Sequence, residues 1–158
     1  MPRTCCRETL AQARDAIETM MVAQWVETGD SLLPLNPNWA LYEQLDQFGK
    51  LLLLVVREDG RAMGYAAGFL HPHVNSRGTT VATIPTWYVE RASGRVFIEK
   101  ALLQEMTSRL FESGAQRVSV ETNADHSAAR LFEAMGFRPS KVSYSMAAGD
   151  AHQEVHSA

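Results

Sequence analysis

The chain has 158 residues, of which 46% are hydrophobic and 21% charged, a composition typical of globular proteins. Its formal net charge of −3 provides no basic footprint, so nucleic acid is not an expected partner. The longest apolar run, Leu51 to Val56, is much shorter than the about 20 residues that span a bilayer, so no membrane partner is expected.

The first part of the chain predicts a strand followed by two helices. Arg3 to Cys6 suits a short strand. Its adjacent cysteines, Cys5 and Cys6, are expected to stay reduced, because a disulfide between neighbours is strained and the sequence has no third cysteine. Reduced thiols favour a cytoplasmic location. Apolar residues at helical spacing predict a helix over about Glu8 to Thr28, and Asn38 is a suitable N-cap for a second, short helix.

An antiparallel meander is expected next. The apolar run Leu51 to Val56 predicts a buried strand, and Glu58 to Arg61 predicts a hairpin turn with glycine at the strained position. Ala62 to His73 is the returning strand. Thr79 to Val89 is a third strand, in which Pro85 must lie at a bulge or at an edge, since proline has no N–H to donate.

The remainder alternates helices with strands. Periodicity predicts a helix over Arg95 to Glu112, a strand over Arg117 to Thr122, a short helix over Ser127 to Met135 and a last strand over Val142 to Met146. A strand-helix-strand unit needs a crossover, so the strands on either side of the long helix are expected to pair in parallel. The predicted class is α/β, with a central mixed β-sheet flanked by helices. We expect one domain over residues 1–146 and a disordered tail over residues 147–158.

Ala128 to Phe137, with the sequence AARLFEAMGF, resembles the A..fYeklGF signature of the GNAT superfamily, the acyl-CoA-dependent N-acyltransferases. The layout W-V-E-T-G-D, Y-E-Q-L, G-K-L, G-Y and H-P-H-V further resembles phage-encoded members. The resemblance implies the GNAT fold, acetyl-CoA as cosubstrate and direct acetyl transfer to the amine of a small molecule or a protein. The alternative is an inactive GNAT-fold protein that serves as a protein-binding or structural module. A homodimer is left open.

GNAT proteins bind the pyrophosphate of acyl-CoA at a glycine-rich turn that leads from a strand into a helix, where backbone N–H groups and the helix dipole meet the phosphates. The strand end Trp87 to Val89 sets the register here. In that register the family's arginine falls on Gly94, and its three glycines fall on the residues Arg95, Phe97 and Glu99. A shift of one residue places the first family glycine on Gly94 and the others on Val96 and Ile98. Either register describes a divergent turn.

The divergent turn changes how a phosphate would be bound. Bulky side chains at Val96 and Phe97 are expected to hold a phosphate away, and Glu99 to repel it. Arg91 and Arg95 flank the turn and could hold phosphates by their side chains, or they could be solvated surface residues. The resemblance implies these cofactor-binding residues: Trp87, Val89, Arg91, Gly94, Arg95, Val96, Asp125 and Phe132.

The residues that transfer protons in the family are also substituted. Counting back from Gly136 and Phe137, the family's asparagine and tyrosine positions hold Asp125 and Phe132, and phenylalanine has no proton to donate. The substitutes for the general acid are Tyr88 and His126, with Tyr144 as a further alternative. The candidate general bases, beside a bound water, are Glu27, Asp30, Glu43 and Glu121.

An aromatic cluster is predicted where GNAT proteins form the wall of the acceptor site. It would bind an apolar or aromatic substrate group, or else pack the first two helices together. Its members are Trp25, Pro34, Pro37, Trp39 and Tyr42. No metal site is predicted, because the strand-face pair His71 and His73 has no third ligand at a recognisable spacing.

Overall fold

The computed structural model describes residues 3–29, 32–92, 94–123 and 128–149, and in these residues five strands form one sheet in the order β1-β2-β3-β4-β5. The strands are β1 (Arg3–Glu8), β2 (Leu51–Glu58), β3 (Arg61–Pro72), β4 (Thr80–Val89) and β5 (Val118–Val120). The helices are α1 (Leu10–Thr28), α2 (Trp39–Gln47), α3 (Arg95–Glu112) and α4 (Ala129–Ala134). Strands β1 to β4 pair antiparallel and β5 joins β4 in parallel, which confirms the predicted mixed sheet.

Local side-chain bonds fix where the helices begin. Thr9 and Gln12 form a capping box: the Thr9 hydroxyl accepts from the Gln12 N–H, and the Gln12 side chain accepts from the Thr9 N–H at 2.9 Å. Asn38 caps α2 as predicted, because its side chain accepts from the Leu41 N–H at 3.1 Å. Gly94 precedes α3 with a φ of 78°, and α3 occupies the predicted residues.

The β2 strand supplies side chains to two cores, one on each face of the sheet. Leu51, Leu53 and Val55 pack with α1 and α2, whereas the alternate residues between them pack with α3 and α4. Because helices cover both faces, the strand is apolar at every one of these positions. The hairpin turn that follows has a positive φ at Gly60, as the sequence predicted, and also at Asp59, which it did not predict.

A β-bulge interrupts β4 at Pro85. Ala67 pairs with Thr86 and Phe69 pairs with Thr83, so two residues of β4, Ile84 and Pro85, lie opposite one residue of β3. Of the two places predicted for Pro85, a bulge or an edge, the structure shows the bulge. Proline has no backbone N–H, so its position in the bulge costs the β3–β4 ladder no hydrogen bond.

Strands β4 and β5 are paired over only a short distance. Their register runs from Ala82 opposite Val118 to Ile84 opposite Val120, and the Glu121 N–H donates to the Ile84 carbonyl at 3.1 Å just beyond it. Past the bulge, the following residues of β4 have no partner in β5. The sheet therefore opens between these two strands.

Two sequence predictions need correction. The fifth strand is shorter than the predicted Arg117 to Thr122, because pairing stops where β4 and β5 diverge. The predicted last strand, Val142 to Met146, is wrong: these residues are irregular and exposed, and none of the described strands pairs with them. Alternation alone cannot form a strand without a ladder partner. Of the predicted tail, residues 150–158 lie outside the described residues. Among the described residues, no helix combines the length and apolar character that crossing a bilayer requires.

Candidate active site

A cleft of about 1090 Å³ occupies the opening between β4 and β5. We call it the β4–β5 cleft. Its walls come from the end of α1, from β4 beyond the bulge, from the first turn of α3 and from α4. The charged side chains among its described lining residues are Glu27, Arg91, Arg95, Glu99, Glu121, Arg130 and Glu133.

The backbone of β4 presents an unpaired edge to this cleft. The Glu90 N–H donates to the Met63 carbonyl of β3 at 2.9 Å, so strand alternation turns the backbone groups of Trp87 and Val89 towards the opening. The Trp87 carbonyl accepts from the Gln24 side chain at 3.2 Å, which agrees with that orientation. Trp87 lines the cleft, so its N–H group can meet a ligand there, whereas Val89 is fully buried and does not line the cleft.

Arg95, the first residue of α3, is held between two carboxylates. Its guanidinium lies 3.2 Å from a Glu27 oxygen and 2.8 Å from a Glu99 oxygen, and only 27% of its side chain is exposed. It also stacks 5.4 Å from the centre of the Tyr88 ring. Arg91 differs: it lies 3.3 Å from Glu27, but 78% of its side chain is exposed. Arg91 is thus the more accessible of the two predicted phosphate-binding arginines.

Glu27 is the centre of this charged group. Partial burial acts to raise the pKa of its carboxyl, but hydrogen bonds from Tyr88 and Arg95 and the charges of both arginines outweigh it and hold the pKa below its ordinary 4.5. The Tyr88 hydroxyl donates to Glu27 at 2.9 Å. Burial, together with this carboxylate, raises the pKa of Tyr88 above its ordinary 10.0. Near neutral pH, Glu27 is therefore an anion, and Tyr88 is a neutral hydroxyl whose O–H is hydrogen-bonded to that carboxylate.

The turn before α3 provides few free backbone donors. The Arg95 N–H donates to the Ala92 carbonyl at 3.2 Å, and the Phe97 N–H donates to the Gly94 carbonyl at 3.0 Å. A Cβ at Gly94 would meet nothing within 4 Å, so the space beside the turn is open. Val96 is exposed and lines the cleft, whereas Phe97 is exposed outside it.

Phe132 is buried in the core. Its ring is buried between Trp87, at 6.0 Å between ring centres, and Phe137, at 6.1 Å. The Trp87 indole N–H donates to the Glu121 carbonyl at 3.1 Å and so links β4 to the segment after β5. The predicted site residues Asp125 and His126 lie outside the described residues.

The other candidate acids and bases are dispersed. Tyr144 is 94% exposed and does not line the cleft. Glu43 pairs with Arg14 at 3.3 Å on the surface of the two N-terminal helices. Glu121 does line the cleft, and Asp30 lies outside the described residues. Of the predicted bases that the structure describes, Glu27 and Glu121 reach the opening.

A second, smaller cavity of about 370 Å³ joins the cleft. We call it the aromatic pocket. Four of the five predicted cluster residues line it; the fifth, Trp39, packs behind Tyr42 with 5.3 Å between ring centres. The cluster therefore both lines a cavity and packs the helices. The residues that line both the aromatic pocket and the β4–β5 cleft are Gln24, Thr28, Pro85 and Asn123.

The sequence of residues 14–137 matches the model of the Acetyltransferase (GNAT) family. The chain belongs to this family. The match covers most of the chain and confirms the resemblance drawn from Ala128 to Phe137. No curated protein matches the sequence.

Solved structures share the GNAT fold at low sequence identity. The aminoglycoside N-acetyltransferase AAC(6')-Iy in complex with CoA has a TM-score of 0.71 and 16% identity, covering 92% of this chain and 93% of that one. An aminoglycoside acetyltransferase from an uncultured soil metagenomic sample, in complex with trehalose, has a TM-score of 0.70 and 15% identity, covering 91% and 95%. The ribosomal-protein-alanine N-acetyltransferase of Brucella melitensis biovar Abortus 2308 has a TM-score of 0.65 and 21% identity, covering 92% and 99%. At these identities the likeness concerns the fold.

Where the cleft meets the aromatic pocket, this GNAT domain has a polar group that the sequence analysis did not identify. The Tyr65 hydroxyl donates to the Gln24 side-chain oxygen at 2.5 Å and lies 2.9 Å from the Thr86 hydroxyl, which also donates to Gln24 at 3.1 Å. A sequence signal did exist. Gln24 follows Met20 and Met21 at helical spacing, and a polar residue in an apolar stripe needs a partner.

No group of three or more metal-binding side chains occurs in the part of the GNAT domain that the structure describes. His71 lies at the end of β3, 3.3 Å from the Thr83 hydroxyl, and His73 accepts from the Asn75 N–H at 3.2 Å. Both histidines have hydrogen-bond partners of their own.

Proposed function

We propose that this GNAT-family protein is an acetyl-CoA-dependent N-acyltransferase that transfers an acetyl group directly to an amine acceptor. The observation that carries the proposal is the opening between β4 and β5, where an unpaired backbone edge faces a cleft that continues into a second pocket. Such an arrangement suits a thioester in one cavity and its acceptor in the other.

The residues around the cleft fit acetyl-CoA. Arg91 and Arg95 lie where α3 begins, so their guanidinium groups and the positive end of the helix dipole would bind the pyrophosphate together. Gly94 leaves open space for a phosphate beside the turn. Since Glu27 and Glu99 already pair with Arg95, we expect Arg91 to provide more of the available positive charge.

Acetyl-CoA supplies the activated acyl group. The N–H group of Trp87, which lines the cleft, would donate to the carbonyl oxygen and stabilise the charge that develops on it. The amine nitrogen forms the new bond to the acyl carbon as the carbon–sulfur bond breaks, and the amine loses one proton while the thiolate gains one.

Proton transfer would follow an unusual route in this chain. Tyr88 is committed to Glu27, so we assign it to positioning the charged group rather than to protonating the thiolate. Glu27 is a weak base because its pKa is lowered. We therefore propose that the amine proton leaves through water, and that His126 remains the side-chain candidate for the proton donor.

Titration calorimetry with acetyl-CoA tests the proposal. Arg91→Glu should weaken binding about ten-fold or more, because it replaces an exposed cation in the cleft by an anion. Arg77→Glu is the matched control: the same charge change on an exposed residue of the turn before β4, away from the cleft lining. Absence of binding by folded wild-type protein, or equal weakening in both variants, would contradict the proposal.

One feature favours the second candidate, an inactive GNAT-fold protein that binds another protein. Arg95 is paired with two carboxylates, and the N–H groups of Arg95 and Phe97 are already bonded within the turn. These contacts compete with a phosphate. The calorimetric titration separates the two candidates, since an inactive binding module has no need to retain acetyl-CoA affinity.

A further inference from the structure

The aromatic pocket differs in charge from the cleft that it joins. The cleft carries both arginines and glutamates, whereas none of the described residues that line the aromatic pocket has a charged side chain. Leucines, prolines and aromatic rings form most of its wall, with Asn36 among them. Most of its polar groups gather at the end that meets the cleft, where Gln24, Tyr65 and Thr86 are hydrogen-bonded together and Thr28 and Asn123 lie on the shared lining. A ligand in it would have an apolar body and one polar end.

The wall of the aromatic pocket is held by packing that does not involve a ligand. Tyr42 lies against Trp39 and, edge-on, against Phe69, with 5.7 Å between the latter ring centres. The Trp25 ring packs directly on Gly29, where an added Cβ would lie 2.7 Å from a ring carbon. Two aromatic side chains are thus fixed before anything binds, which reduces the entropy lost on binding.

The polar end of the pocket contains neutral groups. Burial raises the pKa of the Tyr65 hydroxyl, so it remains a neutral hydroxyl, and Gln24 and Thr86 do not ionise. An ammonium group placed there would lose its hydration without gaining a carboxylate from the described lining. A neutral amine has no such penalty, and it is also the form that attacks a carbonyl carbon.

We propose that the acceptor is a primary monoamine carried on an aromatic or similarly apolar group. Its body would lie against Trp25 and Tyr42, and its nitrogen at Gln24 and Thr86, which the buried Tyr65 hydroxyl holds in place beside the cleft. The pocket volume of about 370 Å³ is near the lower end of ligand sites and suits a compact body. Polyamines and aminoglycosides carry several ammonium groups, for which the described lining offers no counter-charge. This inference rests on the proposed acyl transfer.

Acceptor selectivity tests the inference. The rate of thiol release from acetyl-CoA is measured with two aromatic acceptors, phenethylamine and tryptamine, and with two polycationic acceptors, spermidine and sisomicin. Mass spectrometry identifies the acetylated product. We expect kcat/KM to favour the aromatic amines by about 100-fold, because the polycations must desolvate unpaired charge.

A charge introduced at the rim gives a second measurement. Leu33 lines the pocket and is 65% exposed, so Leu33→Glu should leave the fold intact while adding a carboxylate. It should lower kcat/KM for phenethylamine and raise it for spermidine, each by about five- to ten-fold. The control is Val26→Glu, at a position 83% exposed on α1 and outside the pocket lining. The control should change neither value.

The outcomes separate the inference from the function on which it rests. Acetyl-CoA that binds and releases its thiol in the presence of spermidine or sisomicin, but not of the aromatic amines, would overturn the inference and leave acyl transfer standing. An unchanged selectivity ratio in Leu33→Glu would also overturn the inference alone. Absence of both acetyl-CoA binding and thiol release would overturn the proposed function, and the inference with it.

Discussion

Glu27, at the end of α1, forms an ion pair with Arg95, the first residue of α3, with 3.2 Å between a carboxylate oxygen and a guanidinium nitrogen. The pair joins two elements on opposite faces of the sheet at the place where the sheet opens. The guanidinium of Arg95 that forms this ion pair is also the one that would bind a phosphate, so Glu27 and the phosphate would compete for it. If Arg95 binds a phosphate as proposed, the strength of the Glu27 contact should influence the affinity of the cleft for that anion.

Removing the Glu27 charge should strengthen acetyl-CoA binding. Glu27→Gln keeps the shape of the side chain and its contact with Tyr88 but frees Arg95 and Arg91 from an anion. We expect the dissociation constant to fall about five-fold, equivalent to about 1 kcal/mol. Calorimetry provides the measurement, and Glu43→Gln, which breaks a surface pair with Arg14, is the control with the same charge change. Weaker binding in Glu27→Gln would instead mean that Glu27 orients Arg95 for the phosphate.

Acid should destabilise the wild-type protein partly through Glu27. Its folded pKa lies below the ordinary 4.5, so its contribution to stability is complete above that value and is lost as the pH falls through the folded pKa. Urea unfolding between about pH 5 and about pH 3 should therefore show a smaller loss of stability in Glu27→Gln than in the wild type. Parallel pH profiles of the two proteins would show that Glu27 makes no such contribution.

Local signals in the sequence were sufficient for most of the fold. Asn38 marks a helix start through its own side chain, and Pro85 could only lie at a bulge or an edge. The last strand failed for a non-local reason. Val142 to Met146 alternates as a strand should, but a strand exists only where another strand pairs with it, and β5 ends at Val120 without reaching it.

The site was less predictable because its contacts join distant residues. Glu27 was one carboxylate among four candidates, yet its partners Tyr88 and Arg95 lie 61 and 68 residues away in the sequence. Tyr65 and Gln24, 41 residues apart, form the polar end of the aromatic pocket in the same way. Residue type and spacing carry no information about such pairs. The altered turn at Gly94, in contrast, was visible because a family pattern has a fixed order.

The two adjacent cysteines should react at different rates. Cys5 is half-buried against the core, while Cys6 is exposed. Burial raises the pKa of Cys5 to about 11, with smaller contributions from Glu105 and from Cys6 itself. At pH 8 a much smaller fraction of Cys5 is therefore the reactive thiolate than its ordinary pKa would give. A thiol reagent should modify the protein in a fast and a slow phase; Cys6→Ser should abolish the fast phase and Cys5→Ser the slow one. A single phase of the same rate in both variants would contradict the difference.

Gly68 lies between the β-bulge and α3, and because it has no side chain, α3 can pack closely against β3 at this position. Gly68 lies opposite Ile84 and Pro85, and a Cβ there would approach the Met106 sulfur to 2.9 Å and a Leu110 methyl to 3.0 Å. Both neighbours are buried, so neither can move without disturbing the core between α3 and the sheet.

Gly68→Ala should therefore destabilise the protein by about 1–3 kcal/mol, the usual cost of overpacking a core. The free energy of unfolding in urea measures the loss. Gly149→Ala is the control, because a Cβ at that exposed glycine meets nothing within 4 Å. Since Met106 and Leu110 lie on the helix whose first turn carries Arg95, Gly68→Ala should also weaken acetyl-CoA binding, although Gly68 does not line the cleft. Equal stability of the two alanine variants would show that α3 can shift away from β3 at little cost, and the position of Arg95 would then not depend on this contact.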